Sequence, residues 1–218
     1  MFKYRMLFGL VAVLLMSMYA MGAYVIPAVE NGSFEEPGNG KHNAWDEETN
    51  GKGSFTDVPD WESDTGAADS GVESDWPGST DGVYSGFLMN GDPEVWNIVS
   101  YRVQSGDQFK LAVDARNNWS ASPPAKLGIN LYYIAAGGAR TLLGASGPLD
   151  VTDSWATYYL DVADASAAVG KLLCIGIVNA TDGSSSSWMG IDNVRFVPEP
   201  ATMLLLGIGS VLAMRRRK

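Results

Sequence analysis

The 218-residue chain has one cysteine, Cys174, and one histidine, His42. A lone cysteine excludes an intramolecular disulfide, and its setting in Lys171-Leu172-Leu173-Cys174-Ile175-Gly176-Ile177-Val178 marks a buried small hydrophobe rather than a nucleophile. A lone histidine excludes a histidine metal cluster, and zinc would lack thiolates as well. No serine or cysteine sits in a recognisable nucleophile turn. Positive charge is scarce too: residues 24–198 hold nine Lys and Arg against 24 Asp and Glu, a formal charge of −15. Such a surface repels phosphate backbones, which argues against nucleic acid as a partner. Thirteen of the acids lie between Asp46 and Glu94, where Lys52 is the sole base. Among that many carboxylates some pair at a glycosidase-like spacing is expected by number alone, so the acids carry no catalytic signal. Together these absences point to a protein that is not an enzyme, while the same acids are the hard oxygen ligands Ca²⁺ prefers.

Long apolar runs are missing from the middle and occur at the two ends. Lys3 and Arg5 precede an almost continuous apolar run from Leu7 to Ala23 that closes in small residues. This is the layout of a secretory signal peptide over residues 1–23, with cleavage after Gly22 or Ala23; its length also suits an N-terminal membrane helix. At the other end Pro198-Glu199-Pro200 leads into an uncharged, mostly apolar run from Ala201 to Met214, then Arg215-Arg216-Arg217-Lys218. An apolar segment closed by a basic cluster is a stop-transfer arrangement, with the cluster on the cytoplasmic side and the preceding chain outside. Its 14 residues fall short of the ~20 of a stable spanning helix, which suits a segment held briefly and then removed. The plainer alternatives are a permanent anchor or a buried C-terminal helix.

Between these ends no segment keeps a 3.6-residue apolar period for three turns, although Val162–Val169 suits a brief helical turn. Short runs rich in Val, Ile, Tyr, Phe and Leu recur instead, separated by Gly, Asp, Asn, Ser and Pro: 82–89, 96–103, 107–115, 126–134, 155–162, 171–178 and 189–196. Phe109, Leu111 and Val113 alternate with Lys110, Ala112 and Asp114, and Leu127, Ile129, Leu131 and Tyr133 alternate with Gly128, Asn130 and Tyr132. Period two gives each strand one buried face. The pattern predicts an all-β sandwich of eight or nine strands. Residues 36–97 have long-loop composition apart from the strands at their end.

The C-terminal residues Val197-Pro198-Glu199-Pro200-Ala201-Thr202, the leucine-rich stretch after them and the basic end resemble the PEP-CTERM sorting signal of bacterial exported proteins. The resemblance implies recognition of Pro198, Glu199 and Pro200 by exosortase, a membrane protease-transpeptidase, and anchoring through a short C-terminal membrane helix until processing. The organisation expected is thus a signal peptide (1–23), one β-sandwich (24–197) and a sorting tail (198–218).

The opening Asn31-Gly32-Ser33-Phe34-Glu35 and the closing Gly190-Ile191-Asp192-Asn193-Val194, with Pro59-Asp60-Trp61, Val83-Tyr84-Ser85-Gly86 and Gly106-Asp107-Gln108-Phe109 between them, resemble galactose-binding-like jelly rolls of the carbohydrate-binding-module kind. That resemblance implies a jelly roll whose first and last strands lie together. It also implies a structural Ca²⁺ held by Glu35 and Asp192; the alternative is that these two acids bind backbone amides. It further implies an extracellular polysaccharide as partner. Sugar rings need flat aromatic faces with polar groups beside them. Trp45, Trp61, Trp76, Trp96 and Trp119 supply the rings, and Asp75, Asn90, Arg116, Asn117 and Asn118 the polar groups. Trp76 and Asp75, and Trp119 and Asn118, look most loop-like and are the preferred binding residues, whereas Trp61 and Trp155 look like core. The expected role is an exported cell-surface or matrix protein that binds carbohydrate. A matrix protein without ligand, or a Ca²⁺-dependent enzyme on the same fold, is the alternative.

Overall fold

The computed structural model describes residues 25–36, 58–63, 70–74, 78–120, 124–183 and 186–198. The signal-peptide segment, the tail beyond Pro198, and His42, Trp45, Asp75 and Trp76 lie outside the described residues. Among the described residues no helix is long and apolar enough to cross a membrane.

Eleven strands are present among the described residues: β1 (Trp61–Ser63), β2 (Gly71–Glu73), β3 (Ser85–Met89), β4 (Val95–Arg102), β5 (Phe109–Ser120), β6 (Ala125–Ile134), β7 (Arg140–Ala145), β8 (Leu149–Val151), β9 (Ala156–Val162), β10 (Leu172–Asn179) and β11 (Ser187–Phe196). One sheet has the order β1-β4-β10-β6-β7, with β8 also paired to β6; the other has the order β2-β3-β11-β5-β9. Every pairing is antiparallel. From β3 to β6 and again from β9 to β11, each successive strand crosses to the opposite sheet, the wiring of a jelly-roll sandwich. The seven strands expected from the apolar runs and their punctuation are all present. The helical turn expected near Val169 is a single 3₁₀ turn at Ser166–Ala168.

The two inner faces meet in one core. Leu111, Val113 and Ala115 of β5 and Met189 and Ile191 of β11 face Leu127, Ile129 and Leu131 of β6 and Leu173, Ile175 and Ile177 of β10, all fully buried. In β4 the alternation is clean: Val95, Asn97 and Val99 are buried while Ile98 and Ser100 are exposed. Asn97 Nδ2 donates to the Glu30 carbonyl at 3.1 Å, while its Oδ1 is buried with no partner among the described residues.

The opening motif lies beside β11, as the resemblance implies, but as a turn over residues 30–33 rather than a strand. Asn31 adopts φ 48°, a left-handed conformation that asparagine tolerates. Its Nδ2 donates to the carbonyls of Glu36 (3.1 Å) and Pro59 (2.9 Å), and its Oδ1 accepts from Glu36 N (3.0 Å). Gly32 passes so close to β11 that a Cβ there would stand 2.3 Å from the Val194 carbonyl oxygen, while its own carbonyl accepts Val194 N–H at 2.8 Å. Phe34 is fully buried and packs on Trp61 with centroids 5.0 Å apart. Trp61 in turn donates Nε1–H to the Asn31 carbonyl at 2.9 Å, so it is core, as expected from sequence.

Candidate functional site

Glu35 and Asp192 are brought to the same loop, residues 78–84. Glu35 Oε1 accepts the N–H groups of Val83 (2.8 Å) and Tyr84 (2.7 Å). Asp192 Oδ2 accepts Thr80 N–H (2.5 Å), Thr80 Oγ1–H (2.8 Å) and Asp81 N–H (2.9 Å), and its Oδ1 accepts Asn193 N–H (2.7 Å). Glu35 Oε1 and both Asp192 oxygens are thus engaged by donors of the chain itself, and among the described residues no three His, Cys, Asp or Glu side chains converge as a metal group. The donor set fits two carboxylates clamping a loop through its amides, the alternative to a Ca²⁺ held between them. Asp192 is fully buried, and that burial raises its carboxyl above the ordinary range, against the lowering effect of the Thr80, Asp81 and Asn193 hydrogen bonds. Opposite it across the β5–β11 pairing sits Asp114, whose oxygens accept from Thr157 Oγ1 (2.6 Å) and Asn193 Nδ2 (3.0 Å) and face the Arg195 guanidinium at 3.2 Å.

Trp119 stands on the outer face of the five-stranded sheet, 48% exposed. Strict alternation from Leu111, Val113 and Ala115 would have turned it inward. A β-bulge where Trp188 pairs with Trp119 and Met189 with Asn117 places the extra residue Asn118 in β5, and this reverses the facing of Trp119. Trp119 is therefore in a strand, not a loop. It faces Trp188 directly across the strands, with ring centroids 5.4 Å apart and planes at 47°. Met89 of β3 pairs with Trp188 on the other side and continues the row. Both side-chain polar atoms of Asn118 are shielded from solvent with no hydrogen-bond partner among the described residues.

The remaining sequence candidates divide. Asn90 is structural: its Oδ1 accepts Ser187 N–H at 2.6 Å and its Nδ2 donates to the Asp182 carbonyl at 3.2 Å. Asn117 donates Nδ2–H to Asp153 Oδ1 at 2.8 Å and is buried. Arg116 pairs with Gly190, one step from the Trp119–Trp188 row on the same outer face. Trp96 lies on the outer face of the other sheet, and Trp155 is half-buried. Trp188 escapes the sequence reading as a ring candidate; its position one residue before the inward Met189 is the available signal.

The described end of the chain, Val197 and Pro198, leads from β11 directly into the tail. Residues 196–218 match the PEP-CTERM protein-sorting motif. Pro198, Glu199 and Pro200 fall within the match. Comparison with the curated proteins finds no match. Among solved structures, FisC, a Stig cyclase from Fischerella sp. TAU in complex with a pyrrolidinylidene-indole, aligns at TM-score 0.55 and 18% identity over 81% of this chain and 98% of its own. An apo cyclase from Fischerella sp. aligns at TM-score 0.56 and 18% identity over 81% and 97%. The CBM22-1 xylan-binding domain of Paenibacillus barcinonensis Xyn10C aligns at TM-score 0.45 and 13% identity over 72% and 92%. The cyclases show that the two chains share a fold, and at this identity nothing further.

Proposed function

We propose that this is an exported bacterial protein, handed to exosortase through its PEP-CTERM tail, whose β-sandwich holds an extracellular polysaccharide at the cell surface or in the matrix. The observation that carries the binding part is the Trp119–Trp188 pair, a large aromatic surface kept on the outside of a sheet by a bulge. Exposed aromatic pairs of this size are costly to leave in water and mark interaction sites. Their flat faces suit the C–H faces of sugar rings. The role is binding rather than turnover, because the adjacent acids Asp114 and Asp192 are committed to hydrogen bonds within the fold. On this reading residues 24–197 form the binding domain and the tail provides transient anchoring.

Iodide quenching of tryptophan fluorescence in the full chain tests the site. A quenchable fraction that falls in Trp119→Phe, and that neutral polysaccharide protects, is expected. Emission equally quenched in that variant, or unprotected by every polysaccharide tried, would leave the tryptophan pair without a ligand.

A further inference from the structure

The outer face of the six-stranded sheet, on the opposite side of the sandwich from Trp119, carries a second constellation. Gly176 of β10 lies between Trp96 of β4 and Asn130 of β6. Because it has no side chain, the Glu94 carboxylate lies flat over it: a Cβ on Gly176 would stand 2.3 Å from Glu94 Cδ. Asn130 Nδ2 (2.6 Å) and Tyr132 OH (3.0 Å) donate to Glu94 Oε1, and Arg140 NH1 stands 3.3 Å from Oε2. The Arg140 guanidinium is in turn held over the ring of Trp96 at 4.8 Å and that of Tyr132 at 5.8 Å. The Trp96 Nε1–H has no acceptor among the described residues. In the next row, Ile98 of β4 and Leu142 of β7 flank Cys174 and Tyr132, and both are exposed, 44% and 54% respectively. Three strand spacings separate them, roughly 14 Å, the reach of a short oligosaccharide rather than one sugar.

This face combines a fixed acceptor, a fixed cationic donor and apolar banks, with no net charge between Glu94 and Arg140. Vicinal hydroxyls of a sugar match it: one donates to Glu94, the other accepts from Arg140, and the C–H faces rest on Ile98 and Leu142. The surrounding charge of −15 over residues 24–198 disfavours polyanionic glycans. We propose that the Glu94–Arg140 face is a second glycan-binding site, specific for neutral polysaccharide, so that one molecule grips chains on both sheets and cross-links them. The cross-linking rests on the Trp119–Trp188 reading; the second site does not.

The test uses the full chain with soluble arabinoxylan, galactomannan and mixed-linkage β-glucan as neutral probes and polygalacturonate as the anionic control, read by titration calorimetry and by turbidity as a measure of cross-linking. Two binding events per chain and turbidity with a neutral probe are expected. Glu94→Gln, which keeps the side chain's shape, and Gly176→Ala, whose added methyl displaces the Glu94 carboxylate while leaving its charge, should each weaken one event about tenfold, as loss of a charge-assisted hydrogen bond does, and abolish turbidity. If Gly176→Ala fails to fold, Glu94→Gln with an unshifted melting curve decides between the outcomes. Unchanged binding and turbidity in Glu94→Gln would overturn the proposal, as would preference for polygalacturonate, or dimerisation abolished by Leu142→Asp in place of glycan binding. Loss of binding only in the Trp119→Ala, Trp188→Ala double variant removes this site and keeps the other; loss only in Glu94→Gln does the reverse. Absence of binding to every neutral probe removes both.

Discussion

Replacing Asp192 by Asn separates a hydrogen-bonded clamp from a metal site. The carboxylate accepts four hydrogen bonds, three on Oδ2 and one on Oδ1. An amide can present one oxygen, and the side with three donors is where that oxygen is worth most. Its NH₂ then confronts the Asn193 N–H, leaving one buried donor without an acceptor at a cost of about 1–3 kcal/mol. The three retained bonds lose their charge assistance, roughly another 1 kcal/mol each. Against this, the amide escapes the desolvation that raises the Asp192 carboxyl, so a net loss of about 2–3 kcal/mol remains. For a domain of this length that corresponds to a fall in Tm of about 4–12 °C. The pH dependence has a definite sign. A carboxyl whose folded pKa is raised adds stability below its unfolded value of ~3.9 and loses that contribution as pH rises through the folded pKa. The wild type should therefore gain on the variant as pH falls from neutral. Thermal melts by circular dichroism across pH, with and without chelator, measure all of this, and chelator should leave the wild-type curve unchanged. A chelator-induced drop of several degrees, restored by Ca²⁺ and absent in Asp192→Asn, would refute the clamp and return the metal.

Gly32→Ala forces a Cβ to within 2.3 Å of the Val194 carbonyl and disturbs the paired hydrogen bond, so denaturant titration should show a loss of about 2–4 kcal/mol; a change under about 0.5 kcal/mol would mean the turn is not tied to β11 as described. Cys174 is fully buried, and that burial pushes its thiol up to about 12, so a thiol reagent at pH 8 should react only after denaturant is added. Tyr101 is pushed to about 12 by burial and by Asp107, and Tyr132 to about 12 by burial and by Glu94; ultraviolet titration should find at least two tyrosines still protonated at pH 11. Exchanging Pro198-Glu199-Pro200 for alanines in the native host should leave full-length precursor in the membrane fraction, and normal maturation would count against exosortase.

Seven strands were legible because apolar, β-branched and aromatic runs are bounded by turn residues, and in β6 because Leu127, Ile129 and Leu131 keep a period of two. Four were not: β1, β2 and β8 are three residues each, and β7 mixes exposed Leu142 with half-buried Arg140 and Thr141, so none shows a period. The facing of Trp119 was hidden for a different reason. A bulge is a property of two strands, and Asn118 carries no mark of it until β11 is laid alongside. The Glu94–Arg140 cluster gathers residues from β4, β6, β7 and β10 and the turn before β4, spread over more than eighty positions, and only the sheet order brings them together. Glu35 and Asp192 were found through the motif resemblance, which placed them at the join of the opening and closing segments. The loop whose backbone amides they bind could not be docked from sequence alone.

The most direct measurement is a glycan array probed with the full chain and with its Trp119→Ala, Trp188→Ala double variant. Retention on at least one neutral polysaccharide is expected, weakened about tenfold or more in the variant, as loss of a central aromatic contact does. Failure to bind any glycan, or identical binding by both proteins, would contradict a role for the tryptophan pair in holding polysaccharide.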